Sequence, residues 1–221
     1  MTSLEELQNY CQGKRIIIVG NSNNLLSSTS GKLIDSYDIV VRINKGYQYT
    51  RTVLSDSIGS NTHILAIGIK SAQLASTVIK NNLVDYILSP IIHSERLDYS
   101  NVFNVDNETY NFLKSSLGNF KPSTGISTYN FFNKFINFER LDLIGFDFFA
   151  SSTNQRNALG HFYVKDHCGT EELEFFKNSK NSEKTKIHEL RYVNKRVIQN
   201  NIPSYSNIKV RKLKGWVAKE L

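Results

Sequence analysis

Three short polar stretches in this 221-residue chain hold side chains suited to chemistry. Gly20-Asn21-Ser22 follows an apolar run, Asn44 closes another, and Ser123-Thr124-Gly125 precedes a segment of helical apolar spacing. Asn21 and Asn44 each offer two N–H donors and a carbonyl acceptor, enough to read a phosphate, a ribose or a base edge. Asparagine also caps turns, and that reading stays open for both. The hydroxyls and backbone N–H groups of Ser123, Thr124 and Gly125 suit a carboxylate or phosphate at a helix start, or an ordinary N-cap. Asp147 follows Gly145 in a third turn. Five histidines, His63, His93, His161, His167 and His188, supply candidates for a general base working near neutral pH.

Missing motifs narrow the choice. Gly20-Asn21-Ser22-Asn23-Asn24 lacks the later glycines of a dinucleotide fingerprint, and no GxxxxGK[ST] occurs, which argues against NAD enzymes, ATPases and GTPases. No Asp-x-Asp pair is present to hold a cation against a departing pyrophosphate. A donor with a single phosphate carries less charge, and neutral hydrogen-bond donors suffice for it. Cys11 and Cys168 have neither disulfide-framework nor metal-site spacing, so no metal is expected.

The elements that position these turns alternate. Largely apolar runs at Lys14–Gly20, Asp38–Asn44, Ile64–Ile67, Tyr86–Leu88 and Leu141–Gly145 predict strands. Helices are predicted near 2–11, 72–84 and 110–117, and from Pro122 onward, where Ile126, Tyr129, Phe132, Phe135 and Ile136 recur every three or four residues. Residues 148–187 are polar and weakly patterned, with a short helix over Glu171–Lys177, and are expected to form a lid or acceptor loop. A helix over Ile187–Asn200 and a strand over Ile208–Leu213 complete the pattern. Such alternation predicts a mostly parallel sheet with helices on both faces, and ligands beyond the carboxyl ends of its strands.

Lys14 to Asn44 then resembles the large sialylmotif of sialyltransferases: an apolar strand, Gly20-Asn21-Ser22, a spacer, and an Ile34-Asp35…Asp38…Val41-Arg42…Asn44 segment. Gly59-Ser60-Asn61-Thr62 resembles the element that ends that motif. Pro122-Ser123-Thr124-Gly125 with Leu143-Ile144-Gly145-Phe146-Asp147 resembles the small sialylmotif. The layout is similar to the compact bacterial sialyltransferases and covers about three quarters of the chain. It implies a single Rossmann-like domain with a lid, a GT-A-like variant without Asp-x-Asp. It further implies metal-independent transfer of sialic acid, or a related acidic 2-keto sugar, from a CMP-sugar donor to a glycan or lipid-linked glycan acceptor, as in lipopolysaccharide or capsule. Gly20, Asn21, Ser22 and Asn44 would hold the nucleotide. Ser123, Thr124, Gly125 and Asp147 would complete the donor site. The rivals are a CMP-Kdo transferase and a catalytically silent nucleotide- or glycan-binding homologue.

The resemblance also implies a histidine base shortly before the last helix, and a lid tyrosine on the departing phosphate. His188 is preferred as the base because a predicted helix and strand follow it, with Tyr163 as the tyrosine. His167, which has the His-x4-Glu spacing to Glu172 found in the animal enzymes, and His161 are the alternatives. Phe149 stands where the bacterial members carry a second tyrosine. The disulfide of the animal enzymes has no counterpart at Cys11 or Cys168.

Charge is unevenly placed. Residues 1–185 hold 18 basic and 18 acidic side chains, and the last 36 hold nine basic ones against Glu189 and Glu220, so the whole +7 sits there. A nucleic-acid partner would spread its footprint over a fold face, and none is expected. A terminal basic block fits an anionic membrane surface or a solvated tail. With two cysteines, no run of about 18 apolar residues and an acidic, polar start, the expected location is the cytoplasm, with peripheral membrane contact through 186–221.

Overall fold

The computed structural model describes residues 2–50, 52–68, 72–90, 99–148 and 167–190. The β-branched run before Gly20 forms β1 (Arg15–Val19), because consecutive branched side chains suit a strand buried on both faces. Before it stands α1 (Leu4–Cys11), started by a capping box between Ser3 and Glu6. Two short helices, α2 (Asn23–Leu26) and α3 (Gly31–Asp35), lead to β2 (Ile39–Ile43). After a 3-10 stretch over Asn44–Tyr49 come α4 (Ser55–Ile58), β3 (Ile64–Ala66), α5 (Ala72–Lys80), β4 (Tyr86–Ser89) and β5 (Val102–Asn104). Then follow α6 (Asn107–Ser116), α7 (Thr124–Phe135), β6 (Arg140–Ile144), α8 (Gly169–Lys177) and β7 (Thr185–His188).

The seven strands form one sheet in the order β5-β4-β3-β2-β1-β6-β7, and every pairing is parallel. The chain builds outward from β1 to β5, then returns to the far side of β1 for β6 and β7. The strand order therefore switches between β1 and β6, and a crevice for ligand opens beyond their carboxyl ends. Ile16, Ile18, Ile39, Val41, Leu141 and Leu143 face one side and pack with Leu7 of α1 and Tyr129, Phe131 and Phe132 of α7. Ile17, Val19, Val40 and Ile144 face the other and pack with Leu25, Ile34 and Ile58.

The largest departure from the sequence reading lies after residue 166. The segment predicted as the end of a lid is structural: α8 buries Phe176, and Thr185-Lys186-Ile187-His188 extends the sheet beside β6. Ile187 and His188 thus belong to a strand and not to the helix predicted over 187–200. The rest of the expected lid (149–166), the remainder of that helix and the last predicted strand lie outside the described residues.

At the switch point β1 and β6 nearly touch. Gly145 adopts a positive φ of 70°, and Ser22 N–H donates to its carbonyl at 3.0 Å. A Cβ on Gly20 would lie 2.4 Å from the Gly145 carbonyl oxygen, a backbone atom that cannot rotate away. Gly20→Ala is expected to force the strand ends apart and to cost about 1–3 kcal/mol of stability, measured by denaturant unfolding.

Candidate active site

The sheet's carboxyl edge gathers the polar turns. After β1, Asn21 Nδ2 donates to the Ile43 carbonyl across the gap to β2 at 3.2 Å. Ser22 caps α2 through its hydroxyl, which accepts from Asn24 N–H and donates to Asp147 Oδ2 at 3.3 Å. Phe146 fills the angle between β6 and α7. A Cβ on Gly125 would come 2.7 Å from its ring and one on Gly20 2.9 Å, so both glycines are required for this approach.

Asn44 is the hub of the rim. It sits just past β2 in the left-handed region at φ 51°, which asparagine tolerates better than most residues. Its Oδ1 accepts from Gly68 N–H at 2.6 Å, beyond β3, and its Nδ2 donates to Thr124 Oγ1 at 3.4 Å, at the start of α7. The structure thus brings together Gly20, Asn21, Ser22, Asn44, Thr124, Gly125 and Asp147, which lie far apart in sequence.

Ser123 is the N-cap of α7, the alternative that the sequence left open. Its hydroxyl caps α7 by accepting from Ile126 N–H at 3.2 Å, and its own N–H and O–H both donate to the Glu172 carboxylate, each at 2.8 Å. A carboxyl group of the chain itself therefore engages the N-cap residue. The N–H groups of Thr124 and Gly125 remain the first-turn donors outside the helix ladder. Burial pushes the Glu172 carboxyl up to about 7, against the opposing effect of the two bonds from Ser123.

Glu172 also fixes what precedes it. Five residues upstream, His167 Nδ1 lies 2.5 Å from the Lys121 carbonyl. A carbonyl only accepts, so in the neutral ring Nδ1 carries the hydrogen and Nε2 the lone pair. His167 and Glu172 thus grip one turn, Lys121 to Ser123, from its two ends. The His-x4-Glu spacing sets this up, because one turn of α8 separates its two members.

His188 occupies a different environment. Its backbone pairs with Ile144, but its ring turns back along the sheet toward Asp142. Nε2 meets Asp142 Oδ2 at 2.7 Å and the Tyr37 hydroxyl at 2.8 Å. Tyr37 and Arg140 also donate to that oxygen, at 2.5 and 2.8 Å. Only 14% of the His188 side chain is exposed, and Asp142 is wholly buried. His188, the preferred base in the sequence reading, thus has its Nε2 on a buried carboxylate that ties β7, β6 and Tyr37 together. Burial pushes the Asp142 carboxyl up, but hydrogen bonds from His188, Tyr37 and Arg140 outweigh it and hold the group below the usual carboxylate range. Its stabilisation is therefore present above the unfolded-state value near 4 and is lost as pH falls through the lowered folded value. Asp142→Asn is expected to destabilise by about 3 kcal/mol at pH 7, with the deficit shrinking in acid, as read by thermal unfolding across pH.

His63 is structural too, since Val40 N–H donates to its Nδ1 at 2.9 Å. His161, Tyr163 and residues 191–221 lie outside the described residues. Sequence reading passed over Lys121, which acts through its backbone carbonyl, a group present at every position. It also gave no role to Arg42, which is 1% exposed. Among the described residues no group of three His, Cys, Asp or Glu side chains is placed to hold a metal ion.

A family model described as glycosyltransferase family 29 (sialyltransferase) matches residues 3–102. A mammalian sialyltransferase in complex with Gal-beta-1-3GalNAc-ortho-nitrophenol shares the fold, with a TM-score of 0.55 and 21% identity over 82% of this chain and 70% of that one. The sialyltransferase CstII from Campylobacter jejuni, in complex with cytidine-5'-monophosphate, aligns over 95% of this chain and 99% of its own at 16% identity and a TM-score of 0.48. No sequence among the curated proteins matches.

Proposed function

We propose that this chain is a glycosyltransferase of the sialyltransferase family and moves sialic acid or a related acidic 2-keto sugar from a CMP ester to a glycan hydroxyl, a reading supported by the family-model match over residues 3–102 and by the shared fold. The observation that carries the mechanistic reading is the placement of His167. Its tautomer is set by the Lys121 carbonyl, and its neighbour in the same turn opens α7 at the carboxyl edge of the sheet.

In this reading Asn21, Ser22 and Asn44 hold the nucleotide, and the Thr124 and Gly125 N–H groups with the Thr124 hydroxyl meet the sugar's carboxylate. The acceptor oxygen forms a bond to the anomeric carbon as the bond from that carbon to the phosphate oxygen breaks through an oxocarbenium-like state. The bonding pair leaves with the phosphate, which departs as CMP, and the acceptor's proton passes to His167 Nε2. A base so placed contributes about 10² to 10⁴ in rate. Tyr163 is retained as the proposed hydroxyl on the departing phosphate. Neutral donors and a single phosphate also support transfer without a metal, to be checked by activity in the presence of a chelator.

Calorimetry with CMP against ADP and UDP tests the nucleotide, with CMP the expected ligand. Release of CMP on adding CMP-sialic acid or CMP-Kdo with a glycan acceptor tests turnover and separates the two sugars. Failure of CMP to bind overturns the proposal. CMP binding without release from either donor leaves a silent binder. The basic charge of 186–221 supports peripheral contact with the anionic inner face of a membrane, which co-sedimentation with anionic against neutral vesicles tests.

A further inference from the structure

We propose that Glu172 takes up a proton from solvent when the donor's sugar carboxylate binds, and serves the donor complex as a neutral acid. The proposal rests on the CMP-sugar reading above, which brings a second carboxyl group to the start of α7. Glu172 already engages the N-cap residue there with both oxygens. Oε1 accepts from Ser123 N–H and Oε2 from its hydroxyl, each at 2.8 Å. The Ile126 N–H is taken by the Ser123 hydroxyl at 3.2 Å. An incoming carboxylate is left with the N–H groups of Thr124 and Gly125, the next two along the chain. At a helical rise of about 1.5 Å per residue, that places it on the order of 5 Å from the Glu172 carboxyl.

No cation relieves this crowding among the described residues. The ionisable groups around Glu172 are His167, Cys168 and Glu171 on its own segment, Lys121 in the turn it grips, and Tyr129 on α7. Glu172 forms an ion pair with none of them. His167 is bonded to the Lys121 carbonyl, the Cys168 thiol to Glu171, and the Tyr129 hydroxyl to Ser179. Glu174 and Lys177, further along α8, are exposed and paired with each other.

The N-terminus of a helix carries about +0.5 of a charge, which suits one carboxylate and not two. Glu172 is 3% exposed, so water screens it poorly, and burial has brought its carboxyl up to about 7. A second negative charge roughly 5 Å away favours the protonated form further, by about one unit or more. Near neutral pH the free protein therefore holds both forms, and the donor complex holds the neutral one. Glu172 acts through Ser123 and not on the donor, which makes it a positioning residue.

The test is calorimetry of CMP-sialic acid, or of CMP-Kdo if that is the donor bound, on the full chain without acceptor. Runs at pH 7.5 in two buffers of different ionisation enthalpy give the protons taken up. Wild type should take up about half a proton more per donor than Glu172→Gln. CMP, which has no sugar carboxylate, should bind with the same proton count in both proteins. From pH 6 to pH 9, donor affinity of wild type should fall by up to about tenfold relative to the variant. An equal proton count for the donor in the two proteins overturns the proposal and places any uptake on another group, such as His167. A difference of the same size for CMP also overturns it, because the sugar carboxylate is then not the cause. Should the glutamine variant fail to fold, carbon-13 NMR of the glutamate carboxyls in wild type decides. The resonance that titrates near 7 should move up by about one unit with donor and stay in place with CMP, and an unmoved one overturns the proposal. Donor bound with equal counts removes only the role of Glu172. If wild type binds neither donor nor CMP, the CMP-sugar reading falls as well.

Discussion

His167→Ala is expected to lower transfer by about 10² to 10⁴ while CMP affinity stays within a few-fold of wild type, and His188→Ala is expected to lower stability while transfer stays near wild type. The two histidines differ in what their ring nitrogens face. His167 has its Nδ1 hydrogen on a main-chain carbonyl, in a turn that also opens α7, so in the neutral ring Nε2 carries the lone pair. His188 has Nε2 on the buried Asp142 carboxylate and the Tyr37 hydroxyl, where its loss strands two partners and loosens the edge strand from its neighbour. His188→Ala should therefore lower the unfolding temperature and keep kcat within about threefold at a temperature where the variant is folded. Steady-state kinetics paired with thermal unfolding separates these outcomes. Wild-type turnover in His167→Ala removes it as the base, and abolished turnover in a folded His188→Ala restores the reading that the sequence alone favoured.

The sequence reading missed β7 for a physical reason. The inner strands announce themselves: Ile16-Ile17-Ile18-Val19 and Ile39-Val40-Val41 are buried on both faces, so nearly every side chain is apolar. The edge strand β7 does not. Thr185, Lys186, Ile187 and His188 hold one aliphatic side chain in four, because an edge strand needs apolar contact on one face only, here Ile187. With β7 unseen, Ile187 and His188 were read into the helix predicted over 187–200. The three-residue β5 was missed for the same want of a pattern. The turns at Gly20, Asn44, Gly125 and Gly145 were legible because each demands a particular residue type. Asn44 takes a positive φ, and Gly20 and Gly125 stand where a Cβ would strike a backbone oxygen or the Phe146 ring. Contacts made by generic groups, such as the Lys121 carbonyl or the two donors of Ser123 on Glu172, leave no mark in a single sequence.

The Glu172–Ser123 contact carries the largest pH effect expected in the molecule. Glu172 is 3% exposed and meets no cation among the described residues, and burial pushes its carboxyl up to about 7, while in the unfolded chain it titrates near 4.5. Between those values the folded state binds the extra proton, so this group's stabilisation is full below about pH 4.5 and is lost as pH rises through about 7. Asp142 acts with the opposite sign at the acid end, which leaves the fold most stable on the mildly acidic side of neutrality. Glu172→Gln keeps the shape and an acceptor for Ser123 N–H, and its amide can donate to the Ser123 hydroxyl in place of the reverse bond. Relative to wild type the variant should therefore gain stability between pH 5 and pH 8, by an amount on the order of 3 kcal/mol, for a shift of roughly 2.5 units at 1.36 kcal/mol each. Denaturant unfolding at the two pH values measures this directly, and a pH-independent difference between the two proteins rules out Glu172 as the titrating group. Because the same carboxyl group holds the turn between His167 and α7, kcat of Glu172→Gln should remain near wild type at pH 6, where the native residue is mostly protonated. Glu172→Ala, which abandons the turn, should lose activity at every pH.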